Sequence, residues 1–166
     1  MAQADYYLKI DTIEGEADAV GFEKCMQIES WSFGATNSGS ASQGTGMGVG
    51  KCSLQDFHFT VMNGKASPQL FINCAKGCHN PTATLSCRKT GGDGNPFTYL
   101  KITFGDCVIS SFQTGGSNGS QILPMEQISF NFTNITYEYF TQKPDGSVSL
   151  TNTVKYDIKK VEGTGA

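Results

Sequence analysis

The chain has 166 residues, of which 38% are hydrophobic and 16% charged, so it is long enough for one domain with a substantial core. Its net charge of −3 argues against a nucleic-acid-binding protein, which needs a basic face to neutralise phosphates. No apolar run approaches the roughly 18 residues of a membrane-spanning helix, so no membrane insertion is expected.

The first predicted element is a half-buried strand over residues 5–13, because Tyr6, Leu8 and Ile10 alternate with Tyr7 and Lys9. The acidic amino terminus lacks the basic and apolar regions of a secretory signal peptide. Synthesis in a reducing cytoplasm is therefore expected.

Two later strands change phase, in residues 25–33 and 51–62. The apolar positions are Met26 and Ile28, then Trp31 and Phe33 in the first segment, and Leu54, then Phe57, Phe59 and Val61 in the second. A one-residue slip in a period of two marks a bulge or a strand that bends from one sheet to another. The pattern predicts a tightly curved barrel or sandwich.

A glycine-rich segment from Ser38 to Lys51 separates these strands. Glycine loses more backbone freedom on ordering than any other residue, and compact domains rarely carry so long a loop without a use for it. We expect contact with another molecule to order the loop. A phosphate-binding loop is not indicated, because Gly50-Lys51 is followed by Cys52 and opens a strand.

One helix is predicted over about 67–78, with Ser67 as N-cap and Pro68 at the first helical position. Gly77 lies close to the expected end, and Pro81 prevents continuation. The apolar stripe that should face the barrel is Leu70, Phe71, Cys74, Ala75 and Cys78.

The remaining pattern is β. Strands are predicted over 82–90, 96–112 and 127–141, with turns at 91–95 and 143–146 and a last strand containing Val154, Tyr156 and Ile158. The segment 127–141 again slips in phase. One helix among about eight strands predicts an all-β fold, in a single domain that spans residues 1–166.

Catalytic and metal-binding patterns are weak. His58 should point out of its strand, although Asp56 on the same face could orient it. The group Cys74, Cys78 and His79 lacks a second ligand pair for zinc, and its sulfurs belong to the apolar stripe. No cofactor, metal or catalytic residue is expected.

Three further groups have structural explanations that are favoured over functional ones. The acidic residues Asp11, Glu14, Glu16 and Asp18 suit a solvated turn better than a calcium loop. The aromatic residues Trp31, Tyr137 and Tyr139 are expected in the core rather than in a sugar-stacking platform. The cysteines are Cys25, Cys52, Cys74, Cys78, Cys87 and Cys107, and reduced core thiols are expected in a cytoplasmic protein.

Several stretches also form a pattern by their order and spacing. They are Ile13-x-Gly15-Glu16-Ala17, Trp31-Ser32-Phe33-Gly34, the glycine-rich loop, Leu54-Gln55-Asp56-Phe57-His58-Phe59-Thr60, the helix, Arg88-Lys89-Thr90-Gly91-Gly92, Tyr99-Leu100-Lys101-Ile102-Thr103, Val108-x-Ser110-Ser111, Thr114-Gly115-Gly116-Ser117 and Gln127-Ile128-Ser129-Phe130-Asn131-Phe132. Together they resemble the haemolysin-coregulated protein (Hcp) family, the tube subunit of bacterial type VI secretion systems. The departures are the six cysteines and Ala17, where the family usually has serine.

The resemblance implies a two-sheet β-barrel with one helix packed on its side, assembled as a homohexameric ring. Such rings stack into a tube that carries a spike protein of the VgrG type, lies inside a contractile sheath and holds small effector proteins in its lumen. Family members are made in the cytoplasm and leave through the apparatus without a signal peptide.

The resemblance also suggests roles for two sets of residues. The glycine-rich loop over 38–50 would project from the ring and stack on the next ring through Gly44, Gly46, Met47, Gly48, Val49 and Gly50. Ser32 would face the lumen and meet effectors if its strand lines the pore, although a polar residue on the outside of the barrel is an equal alternative. No enzymatic activity is expected. A carbohydrate-binding module and a small hydrolase built around His58 remain the alternative functions.

Overall fold

The computed structural model describes residues 4–38, 51–119 and 123–165. Within them the helix is α1 (Ser67–Lys76), and the mainly β class with one helix is as predicted. The strands are β1 (Asp5–Ile10), β2 (Met26–Ile28), β3 (Ser30–Ser32), β4 (Ala35–Asn37), β5 (Cys52–Leu54), β6 (Phe57–Met62), β7 (His79–Thr90), β8 (Pro96–Gly115), β9 (Met125–Asn131), β10 (Asn134–Gln142), β11 (Val148–Asp157) and β12 (Glu162–Thr164).

Most strands belong to one antiparallel sheet in the order β12-β11-β10-β8-β7-β1-β2, while β4 and β5 pair separately as a hairpin. The 20-residue strand β8 connects two parts of the sheet. Its first half pairs with β10, and from Val108 onwards it pairs with β9, which continues to β6 and β3. The sheet therefore folds over on itself around a common core.

The predicted phase slip in residues 25–33 corresponds to a change of the pairing strand at Glu29. Strand β2 ends at Ile28 and pairs with β1, whereas β3 begins at Ser30 and pairs with β6. The Glu29 N–H donates to the Thr60 carbonyl at 2.9 Å. This residue thus carries the chain from one part of the sheet to the other.

The prediction of a closed barrel is wrong for the described residues. The ladder ends at β2, which pairs with β1, and no ladder joins β2 to β6. The phase slip at Glu29 was correctly located. However, a strand that bends between parts of an open sheet and a strand of a closed barrel show the same shift in hydrophobic periodicity. The fold is an open, strongly folded sheet.

The centre of the core is a cluster of three phenylalanine rings from three strands. Phe57 of β6, Phe104 of β8 and Phe130 of β9 are each 0% exposed. Ring centroids lie 4.9 Å apart for Phe57 and Phe104, 5.0 Å for Phe57 and Phe130, and 5.2 Å for Phe104 and Phe130. These distances are typical of favourable aromatic pairs, so the cluster ties the folded sheet together.

Helix α1 ends at Lys76, two residues earlier than the prediction of about 78. Gly77 adopts a left-handed φ of 64°, and its N–H donates to the carbonyls of Asn73 and Cys74. Glycine accepts this conformation without a Cβ penalty, which makes it the usual residue after a helix C-terminus.

The predicted N-cap role of Ser67 is wrong, because Ala66 occupies the cap and Ser67 is the first helical residue. The Ser67 hydroxyl instead donates to the Glu126 carboxylate at 2.9 Å and accepts from the Gly64 N–H. Asn63 donates to the other Glu126 oxygen at 2.8 Å. Glu126 is 1% exposed on β9, so a buried hydrogen-bond network fixes the start of α1 against the sheet.

The acidic turn after β1 is held by lysines and backbone groups. Glu14 lies 3.2 Å from the Lys65 ammonium and 3.4 Å from that of Lys24, and these hydrogen bonds, that of Lys65 first, lower the pKa of Glu14 below its usual value. Glu16 accepts from the Lys65 N–H at 2.9 Å. These contacts agree with the structural reading of the turn.

The six cysteines are unpaired thiols, of which Cys25, Cys87 and Cys107 are buried and the others half-buried. Burial raises the pKa of both Cys87 and Cys107 to about 12. Burial also raises the pKa of Cys25. A buried thiol with a raised pKa is a poor nucleophile, because only the thiolate reacts.

Alkylation of the native protein should therefore distinguish the buried cysteines from the half-buried ones. At pH 8 a thiol with a pKa of about 12 is thiolate in roughly one molecule in ten thousand. Iodoacetamide should modify Cys52, Cys74 and Cys78 first, with Cys87 and Cys107 reacting only after unfolding. Peptide mass spectrometry checks this order, and modification of Cys87 as fast as Cys78 in folded protein would contradict it.

Candidate functional site

Ser32 lies in a patch of polar side chains that crosses four strands. Strand register places Ser32, His58, Ser129 and Ser111 side by side in one row. A second, parallel row consists of Ser30, Thr60, Gln127 and Gln113. These eight residues of β3, β6, β9 and β8 are here termed the polar face.

The polar face exists because successive side chains of these strands alternate between the core and the opposite side of the sheet, most clearly on β6. On β6, His58 is exposed between Phe57 and Phe59, which are both buried. Successive side chains of a strand point to opposite faces, so the aromatic core on one side imposes a polar surface on the other. The surface is concave, with a volume of about 690 Å³ lined by seven residues of the polar face and a few apolar neighbours.

Hydroxyl groups link neighbouring strands across the polar face. The Ser30 and Thr60 hydroxyls lie 2.6 Å apart, and those of Ser111 and Ser129 lie 2.5 Å apart. Such pairs leave further donor and acceptor capacity on the exposed hydroxyls of the face, whereas Ser129 is buried. The face can therefore form weak hydrogen bonds to many partners, and its eight residues include no Asp, Glu, Lys or Arg.

The hypothetical His58–Asp56 pair is not assembled. The Asp56 carboxylate accepts a hydrogen bond from the Ser110 hydroxyl at 2.7 Å, and Ser110 lies 2.8 Å from the Ser129 hydroxyl. The cross-strand neighbours of His58 are Ser32 and Ser129. Within residues 4–38, 51–119 and 123–165, no carboxylate is hydrogen-bonded to the His58 ring as a triad would require.

The potential zinc ligand His79 is paired with a carboxylate. The His79 Nδ1 atom lies 2.8 Å from Asp106, which in turn lies 3.8 Å from the Lys159 ammonium. This hydrogen bond from His79 lowers the pKa of Asp106. Across the part of the chain that the structure describes, no three His, Cys, Asp or Glu side chains are grouped to hold a metal ion.

The expected core positions of Tyr137 and Tyr139 are wrong. Their side chains are 37% and 41% exposed, and Val154, opposite Tyr137 on β11, is 37% exposed. Ile135, Tyr137 and Tyr139 lie on the same face of β10. Ile135 is buried, but the strand extends beyond the core, so the two tyrosines are exposed. Tyr137, Tyr139 and Val154 are here termed the apolar extension.

The predicted ring-stacking residues lie outside the described residues. They are Gly44, Gly46, Met47, Gly48, Val49 and Gly50. The flanking strands β4 and β5 are described and pair from Ala35 with Leu54 to Asn37 with Cys52. The two ends of the segment are therefore held side by side by a short hairpin.

Comparisons with known proteins agree with this fold. Residues 7–139 match the model of the family described as "Type VI secretion system effector, Hcp". The chain is 38% identical over 143 residues to protein hcp1 of Pseudomonas aeruginosa, an alignment that covers 86% of this chain and 87% of that protein. A solved structure described as a type six secretion system protein is 25% identical with a TM-score of 0.89, and covers 98% of this chain and 100% of its own.

A further relative is Hcp1 from Salmonella typhimurium, whose crystal structure is 30% identical with a TM-score of 0.77 and covers 98% of this chain and 100% of its own. The class is thus that of secreted components of type VI secretion systems. The chain belongs to the Hcp family, whose members are structural tube proteins rather than enzymes. Within the described residues, no helix has the length and apolar character needed to cross a membrane.

Proposed function

We propose that the chain forms homohexameric rings that stack into a tube, and that the tube is expelled into target cells with small effector proteins in its lumen. The observation that carries this proposal is the polar face, a concave surface of about 690 Å³ whose lining includes Ser32. A lumen must hold a folded protein and later release it. Uncharged hydroxyl and amide groups suit that task, because each neutral hydrogen bond contributes only about 1 kcal/mol.

The apolar extension supports assembly between copies of the chain. Tyr137, Tyr139 and Val154 form an exposed apolar strip beside a groove of about 300 Å³. Exposed tyrosines contribute large contact areas at protein interfaces. A neighbouring subunit that covers this strip would bury it in the ring, and the chain's mass in solution would then be about six times 17.8 kDa.

Membership in the family supports a proposal of further partners. They are a spike protein of the VgrG type at the tip, a contractile sheath around the tube and the effectors inside it. The protein is made in the cytoplasm and secreted through the apparatus without a signal peptide. Native mass spectrometry tests the ring, since a carbohydrate-binding module or a hydrolase would not be expected to form a six-subunit species.

Substitution of Ser32 tests the lumen. Ser32→Gln should preserve the six-subunit mass and lower the amount of small protein retained by rings by roughly tenfold, because each equivalent position then carries a bulkier group. The matched control is Thr153→Gln, which changes an exposed strand position on β11. Quantitative mass spectrometry of protease-protected cargo is the measurement. Equal retention of small proteins by both variants would contradict the proposal that Ser32 faces the lumen.

Substitution of the glycine-rich loop tests stacking. Replacing Gly44, Gly46 and Gly48 together by glutamine should leave hexamers intact but abolish tubes, since ordering each residue costs roughly 1–2 kcal/mol and leaves little margin for poorer contacts. Electron microscopy measures tubes and native mass spectrometry measures rings. Gly92→Gln is the control, because a Cβ at Gly92 meets no atom within 4 Å. Loss of the hexamer in the triple variant would contradict this role.

A further inference from the structure

A second concave surface lies on the opposite side of the core from the polar face. It has a volume of about 610 Å³ and spans β1, β7, β8 and the β10–β11 hairpin. Its lining, here termed the outer groove, includes Tyr7, Lys9, Phe22, Ser86, Lys101 and Phe140. The floor residues alternate with buried core residues such as Leu8, Leu85 and Ile102, so they point outwards from the sheet.

The outer groove contains two lysines that lack an ion-pair partner. Within the described residues, the lysines that form ion pairs are Lys24, Lys65 and Lys159, so Lys9 and Lys101 take part in none. Glu138 is the cross-strand neighbour of Lys101, yet it forms no ion pair with it. Two cations thus face the same concave surface in a chain whose net charge is −3.

A third cation, Arg88, lies beside the groove and stacks on two of its lining residues, Tyr7 and Phe22. The Arg88 guanidinium carbon lies 4.9 Å from the centroid of the Phe22 ring and 5.7 Å from that of Tyr7. The Tyr7 and Phe22 rings stack at 4.8 Å. Stacking on aromatic rings holds a guanidinium in place while its N–H groups remain able to bind a carboxylate in a bidentate manner. Asp5 is the register neighbour of Arg88, but it is not within ion-pair distance.

Along the strand direction the three cations are spaced at intervals of about 7 Å, because they stand level with Thr84, Ser86 and Arg88 of β7. Lys9 lies on β1 opposite Thr84, and Lys101 on β8 opposite Ser86. Given standard strand geometry, their Cα atoms are separated by about 12 Å, and those of Lys101 and Arg88 by about 8 Å. In an extended peptide, alternate residues point to one side at intervals of about 7 Å. A peptide that runs along the strands would therefore place acidic residues at alternate positions level with successive cations, and the long lysine side chains would span the sideways offset between strands.

From these observations we propose that the outer groove binds an extended acidic peptide segment of a partner protein. Lys9, Lys101 and Arg88 bind carboxylates at alternate positions of the segment. The rings of Phe22 and Phe140 contact the aliphatic parts of its side chains. All these groups belong to one chain, so the proposal does not depend on ring assembly or on the use of the polar face.

Fluorescence anisotropy with two labelled peptides tests the proposal on the full chain at low ionic strength. One peptide alternates serine and glutamate, and the other alternates serine and glutamine. The glutamate peptide should bind at least about tenfold more tightly, and its affinity should fall as salt screens the charges. Equal affinity for the two peptides would overturn the proposal.

Charge variants then locate the binding site. The double variant Lys9→Gln/Lys101→Gln should weaken binding of the glutamate peptide by roughly fivefold to tenfold, as expected for two partly exposed charge pairs. The matched control is Lys76→Gln/Lys160→Gln, which removes the same charge from exposed positions away from the groove and should stay within about twofold of wild type. An equal loss in the control would show a general charge effect and contradict the assignment. Displacement of the peptide by inorganic phosphate or single-stranded DNA at equal anion concentration would also contradict it, because the groove would then bind any anion.

Discussion

Phe57→Ala should lower the free energy of unfolding by about 3–5 kcal/mol, the usual cost of removing a buried phenylalanine ring. Phe57 is 0% exposed and packs against Phe104 and Phe130 at 4.9 Å and 5.0 Å. The lost ring would leave a cavity at the point where β6, β8 and β9 meet. Urea unfolding, followed at one fixed protein concentration, measures the effect, because assembly between chains would otherwise add to the apparent stability.

The control is Phe71→Ala on α1. Phe71 is 57% exposed and contacts Phe112 edge-on with ring centroids 5.8 Å apart. Its loss should lower the free energy of unfolding by about 1 kcal/mol or less, since little apolar surface leaves the interior. If the two variants were equally destabilised, the three-ring cluster would not be the centre of the core.

Gly15→Ala should lower the free energy of unfolding by about 2–3 kcal/mol, at the upper end of the range for overpacking. A Cβ at this position would lie 2.3 Å from the Cys25 carbonyl oxygen, so the backbone itself would have to move. The Gly15 N–H donates to the Lys24 carbonyl at 2.7 Å, and that bond would be disturbed as well. Thermal unfolding by circular dichroism should show a lower Tm.

Gly92→Ala is the matched control for this prediction. An added Cβ at Gly92 meets no atom within 4 Å, and its φ is not in the left-handed region. The same substitution should therefore change the free energy of unfolding by about 0.5 kcal/mol or less. Similar losses in the two variants would show that alanine is unfavourable in these loops for reasons other than the close approach at Gly15.

Local features of the fold were predictable because their causes lie within a few residues. The phase slip between Ile28 and Trp31 indicated a change of direction, and the structure has that change at Glu29. Gly77 indicated the end of the helix to within a residue. In contrast, the role of Ser67 depends on Glu126, which lies 59 positions away along the chain. A local sequence pattern does not indicate which distant residue a side chain contacts. For the same reason it does not indicate whether the sheet closes into a barrel.

The candidate site was only partly predictable for a similar reason. Ser32 could be selected from its strand and from the family resemblance, but its neighbours Ser129 and Ser111 are set by the register of separate strands. The outer groove gave no motif, because Lys9, Lys101 and Arg88 are ordinary strand cations in the sequence. Their common surface arises only when β1, β7 and β8 pair.

Strand β8 has a mechanical consequence. Its 20 residues form hydrogen bonds with β10 in one part of the sheet and with β9 in the other. Neither part can detach without exposing the core that both parts share, which contains Phe57, Phe104 and Phe130. A subunit forced through a narrow opening should therefore emerge either folded or fully unfolded. Partly unfolded forms, whose unpaired strand edges could associate with other chains, should be rare.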